Sequence, residues 1–132
     1  MTRDYAPEGQ QSVAAYLLVA DATAAIAFLE RVFDAQLVRR LTGGKGGVHA
    51  EVLIDDTVIM LGEPPMATRA QPAEIHVYVP DCYATYGRAL EAGASADTEP
   101  SAQPYGDRRG SFIDPSGHRW WVATHDGTAG PD

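Results

Sequence analysis

Imidazole and carboxylate side chains stand two residues apart in two segments of the chain, and such pairs could serve acid–base chemistry. His49 and Glu51 alternate with apolar residues in VHAEVLI, and Glu74 and His76 do so in EIHVYVP. Side chains two positions apart on a strand project to the same face. These four are therefore candidates for general acid–base catalysis. Hydrogen-bonded polar residues without a catalytic role give the same pattern, so the catalytic assignment stays open.

The C-terminal segment 105–125, YGDRRGSFIDPSGHRWWVATH, concentrates basic and aromatic side chains around a tight turn. Arg108 is a candidate clamp for an anionic ligand group, or else an ion-pair partner of Glu51 or Glu74. Trp121 offers a flat face to a planar or cationic ligand, or else packs in the core. The turn residues DPSG are typical of a purely structural turn.

The elements that must position these residues occur twice in the same order. Residues 12–63 and 74–125 each read as a strand, an amphipathic helix and three further strands. The prolines and polar residues of 64–73 predict a linker, and 126–132 predict a tail. We therefore expect one α+β domain over 1–132. Its paired βαβββ modules should form a curved mixed sheet with the helices outside and a central cup.

Strand alternation predicts which side chains face this cup. In VHAEVLI one parity is uniformly apolar, as at Val48, Ala50 and Val52, and should pack on a helix. The other parity carries aromatic as well as polar residues, which is unlike a solvent-facing surface. A concave, largely apolar surface with a few convergent polar groups is the usual small-molecule site. The residues expected to line it are Tyr16, His49, Glu51, Met60, Glu74, His76, Tyr78, Arg108, Phe112 and Trp121. Arg108 and Phe112 are included because the offset between the repeats, in which the turns after Ile54 and Ile113 match, aligns them with His49 and Leu53.

Composition excludes several classes of partner. The 132 residues are 45% hydrophobic, as in an ordinary globular protein, and carry a net charge of −8. An acidic chain lacks the basic face that nucleic-acid binding needs. No segment approaches transmembrane length, and the N-terminus has no apolar signal region. Cys82 is the single cysteine, which fits a reducing compartment. We expect a cytoplasmic protein with no nucleic-acid or membrane partner.

The chain resembles the glyoxalase/bleomycin-resistance, or vicinal oxygen chelate (VOC), superfamily, and most closely its PhnB-like branch. The resemblance runs from about Val13 to His125 and is carried by YLLVADATAAIAFLERVF, HAEVLIDDTVIML, HVYVPDCYATYGRALEAGA and YGDRRGSFIDPSGHRWWVATH. It implies the paired βαβββ fold, a small-molecule site and a homodimer. It leaves the activity open, because such folds host metal-dependent isomerases, lyases and dioxygenases, thiol-transfer resistance enzymes and metal-free drug binders.

The resemblance also implies where a metal ion would be bound. The positions that carry ligands in the family's metal enzymes correspond to Ala14, Met60, Glu74 and Trp121. Only Glu74 could ligate a hard divalent ion, and such an ion needs at least three protein ligands. We therefore expect no metal and no cofactor there. The two His and Glu pairs could supply a different ligand set, but hydrogen-bonded polar groups in a wet pocket are the simpler interpretation.

Two function classes follow from these features. The first is a metal-free module that binds a small aromatic or planar molecule, in antibiotic resistance or carriage. The second is a metal-independent acid–base enzyme, an isomerase, lyase or cyclase, that acts on a small metabolite or biosynthetic intermediate. Its candidate catalytic residues are His76, Glu51, His49 and Glu74. A metal-dependent dioxygenase or glyoxalase is disfavoured by the residues at the implied ligand positions.

Overall fold

Each half of the described chain folds as one helix on one four-stranded sheet. The structure, a computed structural model, describes residues 5–65 and 72–127. The chain divides into two compact units, Met1–Ala70 and Gln71–Asp132. Most of the predicted linker and most of the predicted tail lie outside the described residues.

The first unit has the predicted βαβββ order. Its sheet has the strand order β1-β4-β3-β2, in which β1 and β4 are parallel and the other neighbours are antiparallel. The helix begins after Asp21, whose carboxylate accepts a hydrogen bond of 3.0 Å from the backbone N–H of Ala24 and so caps the first turn. The elements are β1 (Tyr16–Leu18), α1 (Ala22–Phe33), β2 (Gln36–Thr42), β3 (Val48–Ile54) and β4 (Thr57–Glu63).

The second unit repeats this order and topology. Its sheet has the strand order β5-β8-β7-β6, again with one parallel pair, β5 and β8. Asp81 caps the helix as Asp21 does in the first unit, because its carboxylate accepts from the backbone N–H of Tyr83. The elements are β5 (Glu74–Tyr78), α2 (Cys82–Glu91), β6 (Ser95–Ala102), β7 (Asp107–Ile113) and β8 (Arg119–His125). The predicted α+β class with duplicated βαβββ modules is confirmed.

In each unit the helix covers one side of its own sheet, and the apolar core lies between them. The backbone N–H of Ala22 donates to the Glu63 carboxylate at 2.7 Å, which places α1 on the side to which Glu63 projects. The backbone N–H of Cys82 donates to Thr124 Oγ1 at 2.9 Å, which places α2 on the side of Thr124. The buried residues of these cores include Leu17, Ile26, Leu29, Val32, Ala50, Val52 and Leu61 in the first unit, and Cys82, Ala89, Phe112, Trp120 and Val122 in the second.

Both helices are short. Within the two described ranges, neither α1 nor α2 is long and apolar enough to cross a membrane.

Candidate functional site

A cluster of polar and aromatic side chains lies on the side of the second sheet that is turned away from α2. Pairing of β5 with β8 sets His76 opposite Trp121 and Glu74 opposite Arg119. Cross-strand partners project to the same side of a sheet, so these four side chains are neighbours. We call this side the distal face. Its polar and aromatic residues are Glu74, His76, Tyr78, Asp107, Arg109, Ser111, Arg119, Trp121 and His125, and Asp97 of β6 contacts two of them.

The guanidinium of Arg109 stacks on the indole of Trp121. Its Cζ atom lies 3.9 Å from the ring centroid, which is the geometry of a cation–π contact. Within residues 5–65 and 72–127 no carboxylate forms an ion pair with Arg109. Its Nε atom is buried and has no hydrogen-bond partner in this part of the chain. An aromatic ring, rather than a counter-ion, therefore orients this cation.

Two carboxylates lie near Arg119, where β8 begins, and both already accept hydrogen bonds from neighbouring side chains. Trp121 Nε1 donates to Glu74 Oε1 at 3.0 Å, and Arg119 Nη1 lies 3.6 Å from the same oxygen. Asp97 Oδ2 accepts from Ser111 Oγ at 2.6 Å and from Arg119 Nε at 2.9 Å. The hydrogen bond from Trp121 is the largest cause of a lowered pKa at Glu74, and the one from Ser111 has that role at Asp97. Both groups are therefore ionised at neutral pH and poorly suited to act as bases.

His76 is neutral at neutral pH. Burial lowers its pKa from the ordinary 6.5, and the positive charge of Arg109 lowers it further, against an opposing effect of Asp107. Its ring packs on that of Tyr78, with the centroids 4.8 Å apart and the planes at 60°. No described residue forms a hydrogen bond with the His76 ring. A neutral imidazole of this kind can accept or donate a hydrogen bond to a ligand.

Asp107 fixes the other end of the distal face. Its side chain is buried, its Oδ1 lies 2.8 Å from His125 Nδ1, and its Oδ2 accepts from the Tyr78 hydroxyl at 3.0 Å. The hydrogen bond with His125 is the largest cause of a lowered pKa at Asp107. The same carboxylate raises the pKa of the Tyr78 phenol, which stays protonated. Tyr78 is thereby held in position, although it is 59% exposed.

The first unit carries a histidine–carboxylate pair on the side of its sheet that is turned away from α1. His49 Nε2 lies 2.8 Å from Glu51 Oε2, and the Tyr16 ring centroid lies 5.9 Å from that of His49. Met60 pairs with both Tyr16 and Glu51 across the strands. The Tyr16 ring crosses the backbone at Gly62, where an added Cβ would lie 2.6 Å from the Tyr16 hydroxyl. The four predicted site residues of this unit are thus brought together.

The second unit brings together Glu74, His76, Tyr78 and Trp121, the predicted residues of β5 and β8. The Glu74 carboxylate hydrogen-bonds the indole rather than the imidazole two residues away. The two candidate pairs therefore differ, because only His49 and Glu51 form a direct bond. That any of these residues binds a ligand or acts in catalysis stays a prediction.

Arg108 and Phe112 lie on the opposite side of the second sheet, and their predicted place in the site is wrong. Phe112 is fully buried opposite Trp120, on the side covered by α2. Arg108 Nε donates to Asp126 Oδ2 at 2.9 Å, and its Nη1 donates to the Tyr83 hydroxyl at 3.4 Å. The alternative pairing of Arg108 with Glu51 or Glu74 is therefore also wrong, since Asp126 is its carboxylate partner.

The cause of this error is the length of the second turn, because two residues separate the paired Ile54 and Thr57 and five separate the paired Ile113 and Arg119. Met60 lies opposite Tyr16 of β1, and Trp121 lies opposite His76 of β5, so these two residues correspond. On its other side Met60 pairs with Glu51, whereas Trp121 pairs with Ser111. Aligning the hairpins on their turns placed Arg108, rather than Arg109, in the position of His49. Because side chains alternate along a strand, a shift of one residue moves every side chain to the other face.

The residues that the prediction missed on the distal face are therefore those of the other parity of DRRGSFI, together with two from β8. The length of the turn decides this parity, because Ile113 pairs with Arg119 across the five residues DPSGH, whereas a turn of the four residues DPSG would pair Trp121 with Gly110. Asp114 confirms that this turn is structural, because its Oδ1 accepts the backbone N–H groups of Ser116 and His118 and its Oδ2 accepts from Trp120 Nε1. The missed residues are Asp107, Arg109, Ser111, Arg119 and His125.

The implied metal positions do not suit a divalent ion. Glu74 is the only one of the four with a hard oxygen ligand, and this oxygen accepts a hydrogen bond from Trp121. Met60 and Trp121 supply no hard donor. In residues 5–65 and 72–127 no group of three or more His, Cys, Asp and Glu side chains is placed to hold an ion. The family's metal therefore does not fit the side chains that stand at its ligand positions.

Three known proteins resemble this chain in sequence or in structure. An uncharacterized protein of Mycobacterium bovis is 34% identical over 123 residues, which cover 84% of this chain and 81% of that protein. TioX from Micromonospora sp. ML1 is 25% identical with a TM-score of 0.70, over 88% of this chain and 99% of TioX. A PhnB protein from Bacillus cereus is 15% identical with a TM-score of 0.67, over 86% and 99%. The last likeness concerns the fold alone.

A family model identifies the group to which these proteins are related. The model of the Glyoxalase/Bleomycin resistance protein/Dioxygenase superfamily matches residues 10–122, which is most of the chain and includes both βαβββ units. The resemblance to this superfamily that was stated from the sequence is thus confirmed. The chain belongs to the glyoxalase/bleomycin resistance protein/dioxygenase superfamily.

Proposed function

We propose that this protein binds a small aromatic or planar molecule on the distal face without a metal ion, and that it serves antibiotic resistance or the carriage of that molecule. The observation that carries the proposal is the group formed by Trp121, His76 and Tyr78. These rings are held in place by neighbours within the second unit, yet the imidazole has no hydrogen-bond partner among the described residues. Aromatic surface with a few oriented polar groups is typical of small-molecule sites.

The family supports this class of function without specifying the ligand. Its description includes bleomycin resistance proteins, so binding of a drug-sized molecule is within its range. Metal independence is supported by the side chains at the implied ligand positions, since Met60 and Trp121 offer no hard donor. Fold alone does not decide between binding and catalysis, which must be argued from the site.

The direct test is to identify what the protein retains and to ask whether the distal face holds it. The protein is purified under native conditions, and released small molecules are identified by untargeted mass spectrometry. The affinity of the recovered molecule is then measured for Tyr78→Ala and for Tyr83→Ala. Tyr78 lies on the distal face and Tyr83 on α2, and both are exposed tyrosines whose hydroxyl forms a hydrogen bond with one described residue. We expect at least about tenfold weaker binding only for Tyr78→Ala. Equal affinities would contradict the proposal.

The second candidate function is a metal-independent acid–base enzyme, an isomerase, lyase or cyclase. Two observations favour it: the 2.8 Å contact of His49 with Glu51, and the neutral state of His76. Both histidines could exchange a proton with a bound substrate. A base that removes a proton from carbon would exchange that proton with solvent. The recovered molecule is therefore incubated with the protein in D2O, and its mass is measured by mass spectrometry. A mass increase that is abolished by His76→Asn or Glu51→Gln, with affinity unchanged, would favour the enzyme over the binder.

We further propose that the protein is a cytoplasmic homodimer. A single cysteine and the acidic composition suit a reducing compartment without nucleic-acid or membrane partners. Closed two-fold dimers are the commonest soluble oligomers. Light scattering after size-exclusion chromatography should give twice the chain mass of 14.1 kDa, and a monomer mass at micromolar concentration would contradict the dimer.

A further inference from the structure

We infer that the molecule bound at the distal face carries an anionic group, a carboxylate or similar oxyanion attached to its planar frame, and that Arg109 binds this group. The inference rests on the proposed function and names the class of ligand. It depends on a different residue from those that carry the proposed function, so it can fail while the proposed function stands. Three features of the distal face support it: the charge of Arg109, its orientation and its neighbour His76.

The charge of Arg109 is not used by the carboxylates of this surface, which accept hydrogen bonds from other side chains. Glu74 accepts from Trp121, and it also lies near Arg119. Asp97 is bound by Arg119 and by a serine hydroxyl, and Asp107 is bound by a tyrosine hydroxyl and a histidine. No described residue forms an ion pair or a hydrogen bond with the Arg109 guanidinium. Its charge is therefore available to a ligand.

The guanidinium of Arg109 is already oriented by the Trp121 ring. The Arg109 guanidinium lies over the Trp121 ring, with its Cζ 3.9 Å from the centroid, so little of its mobility remains to be lost when a ligand binds. A planar guanidinium presents paired N–H groups that match the two oxygens of a carboxylate. It also covers one face of the indole. A planar ligand would therefore contact Trp121 together with Arg109, and a cationic ligand, which the indole alone would accept, is disfavoured by charge repulsion.

The neighbouring imidazole of His76 is uncharged and does not compete with Arg109 for an anionic group. His76 lies opposite Trp121 across the strands and is uncharged at neutral pH, because burial and Arg109 both oppose its protonation. Its ring nitrogens can hydrogen-bond an oxygen of the same ligand or a polar atom of the ring. The distal face thus combines one unpaired guanidinium with a neutral hydrogen-bonding group and an aromatic surface, which together fit an aromatic or otherwise planar acid.

The test compares two probes that share one ring system and differ in charge, 1-naphthoate and 1-naphthamide. Both are titrated into 15N-labelled protein, and the two indole N–H resonances of the two tryptophans are followed. Trp121→Phe assigns them, since Trp120 is fully buried on the helix-covered side. We expect the Trp121 resonance to shift with both probes and the Trp120 resonance to shift little. Naphthoate should bind at least about tenfold more tightly, as a charge-assisted hydrogen bond provides.

Two adjacent arginines supply the matched variants. Arg109→Gln should reduce the affinity for naphthoate to that for naphthamide, because the cation is lost. Arg108→Gln should leave the preference unchanged, since Arg108 lies on the other side of the sheet with Asp126 and Tyr83 as partners. Circular dichroism checks that both variants fold. If Arg109→Gln does not fold, the affinity of the unmodified protein is measured at rising NaCl, where only naphthoate binding should weaken.

The outcomes separate the two proposals. Equal affinity for the two probes, with the Trp121 resonance shifting, would overturn the anion inference and leave the proposed function standing. A naphthoate preference that survives Arg109→Gln, or one that is insensitive to salt, would overturn the assignment to Arg109. If neither probe shifts the Trp121 resonance at millimolar concentration, the distal face does not bind planar rings, and both proposals are overturned.

Discussion

Arg108 and Arg109 are consecutive in the sequence and lie on opposite sides of the second sheet. Arg108 is bound to Asp126 and to the Tyr83 hydroxyl of the helix, whereas Arg109 stacks on Trp121 without a carboxylate partner among the described residues. The two side chains have the same chemistry, so their environments alone distinguish a structural ion pair from a cation that is available to a ligand.

His76 should titrate below the ordinary histidine value, and Arg109 should be part of the reason. Burial is the largest cause of the lowered pKa, and repulsion by Arg109 is the second. Arg109→Gln should therefore raise the pKa only partly toward 6.5, and Arg108→Gln should leave it unchanged. The measurement is an NMR titration of the ring protons of the four histidines, with His76→Asn for assignment. An unaltered His76 midpoint in Arg109→Gln would contradict the geometry.

Asp107 should stabilise the fold in its ionised form. Its pKa is lowered in the folded state, chiefly by the hydrogen bond with His125, so the folded protein binds the proton less readily than the unfolded chain does. The stabilisation is fully present above the ordinary aspartate value of about 4 and is lost as the pH falls through the lowered value. Urea unfolding from pH 7 down to pH 3 should show Asp107→Asn less stable at pH 7, with the difference shrinking on acidification. A constant difference would show that the charge has no part in it.

Gly62 should be needed for the position of the Tyr16 ring rather than for the fold. A Cβ at this position would lie 2.6–2.9 Å from three atoms of the Tyr16 side chain, and this side chain is 53% exposed and free to move. Gly62→Ala should therefore displace the ring from His49 at a cost of about 1 kcal/mol or less. Loss of the proton contacts between the two rings would be observed by NMR.

The matched control for this change is Gly87→Ala on α2. Nothing lies within 4 Å of an added Cβ there, and alanine in a helix interior is favoured over glycine by about 0.5–1 kcal/mol. We expect a higher urea midpoint for Gly87→Ala and unchanged contacts between Tyr16 and His49. A stability loss at Gly62 as large as that of a core truncation would mean that the backbone, not the ring, gives way.

Phe112 should behave as a core residue and not as a ligand contact. It is fully buried beside Trp120 on the side covered by α2. Phe112→Ala should lower the free energy of unfolding by about 3–5 kcal/mol, and Phe112→Leu by less, as removal of buried aromatic volume does. Naphthoate affinity of the folded fraction of Phe112→Leu should match that of the unmodified protein. Weaker binding with unchanged stability would return Phe112 to the site.

The sequence was sufficient for the elements and for pairs of residues on the same strand. The helices after Asp21 and Asp81, the repeated βαβββ order and the shared face of Glu74 and His76 all follow from local signals, namely caps, periodicity and alternation. Only parity within one strand is needed to place two residues on a common face. This local information also identified the superfamily to which the chain belongs.

The tertiary structure decided which alternate side chains of β7 lie on the same side of the sheet as Trp121 of β8. That choice depends on the number of residues in the turn at Asp114, and alignment of the two repeats misjudged it by one residue. Composition distinguishes the two parities of DRRGSFI only weakly, because each contains one arginine and at least one small residue. Pairing across the hairpin placed Arg109 beside Trp121 and Arg108 beside the helix. A cross-strand register is set by contacts between residues on different strands, so local sequence restricts it only weakly. A shift of one residue moves every side chain to the other face of the sheet.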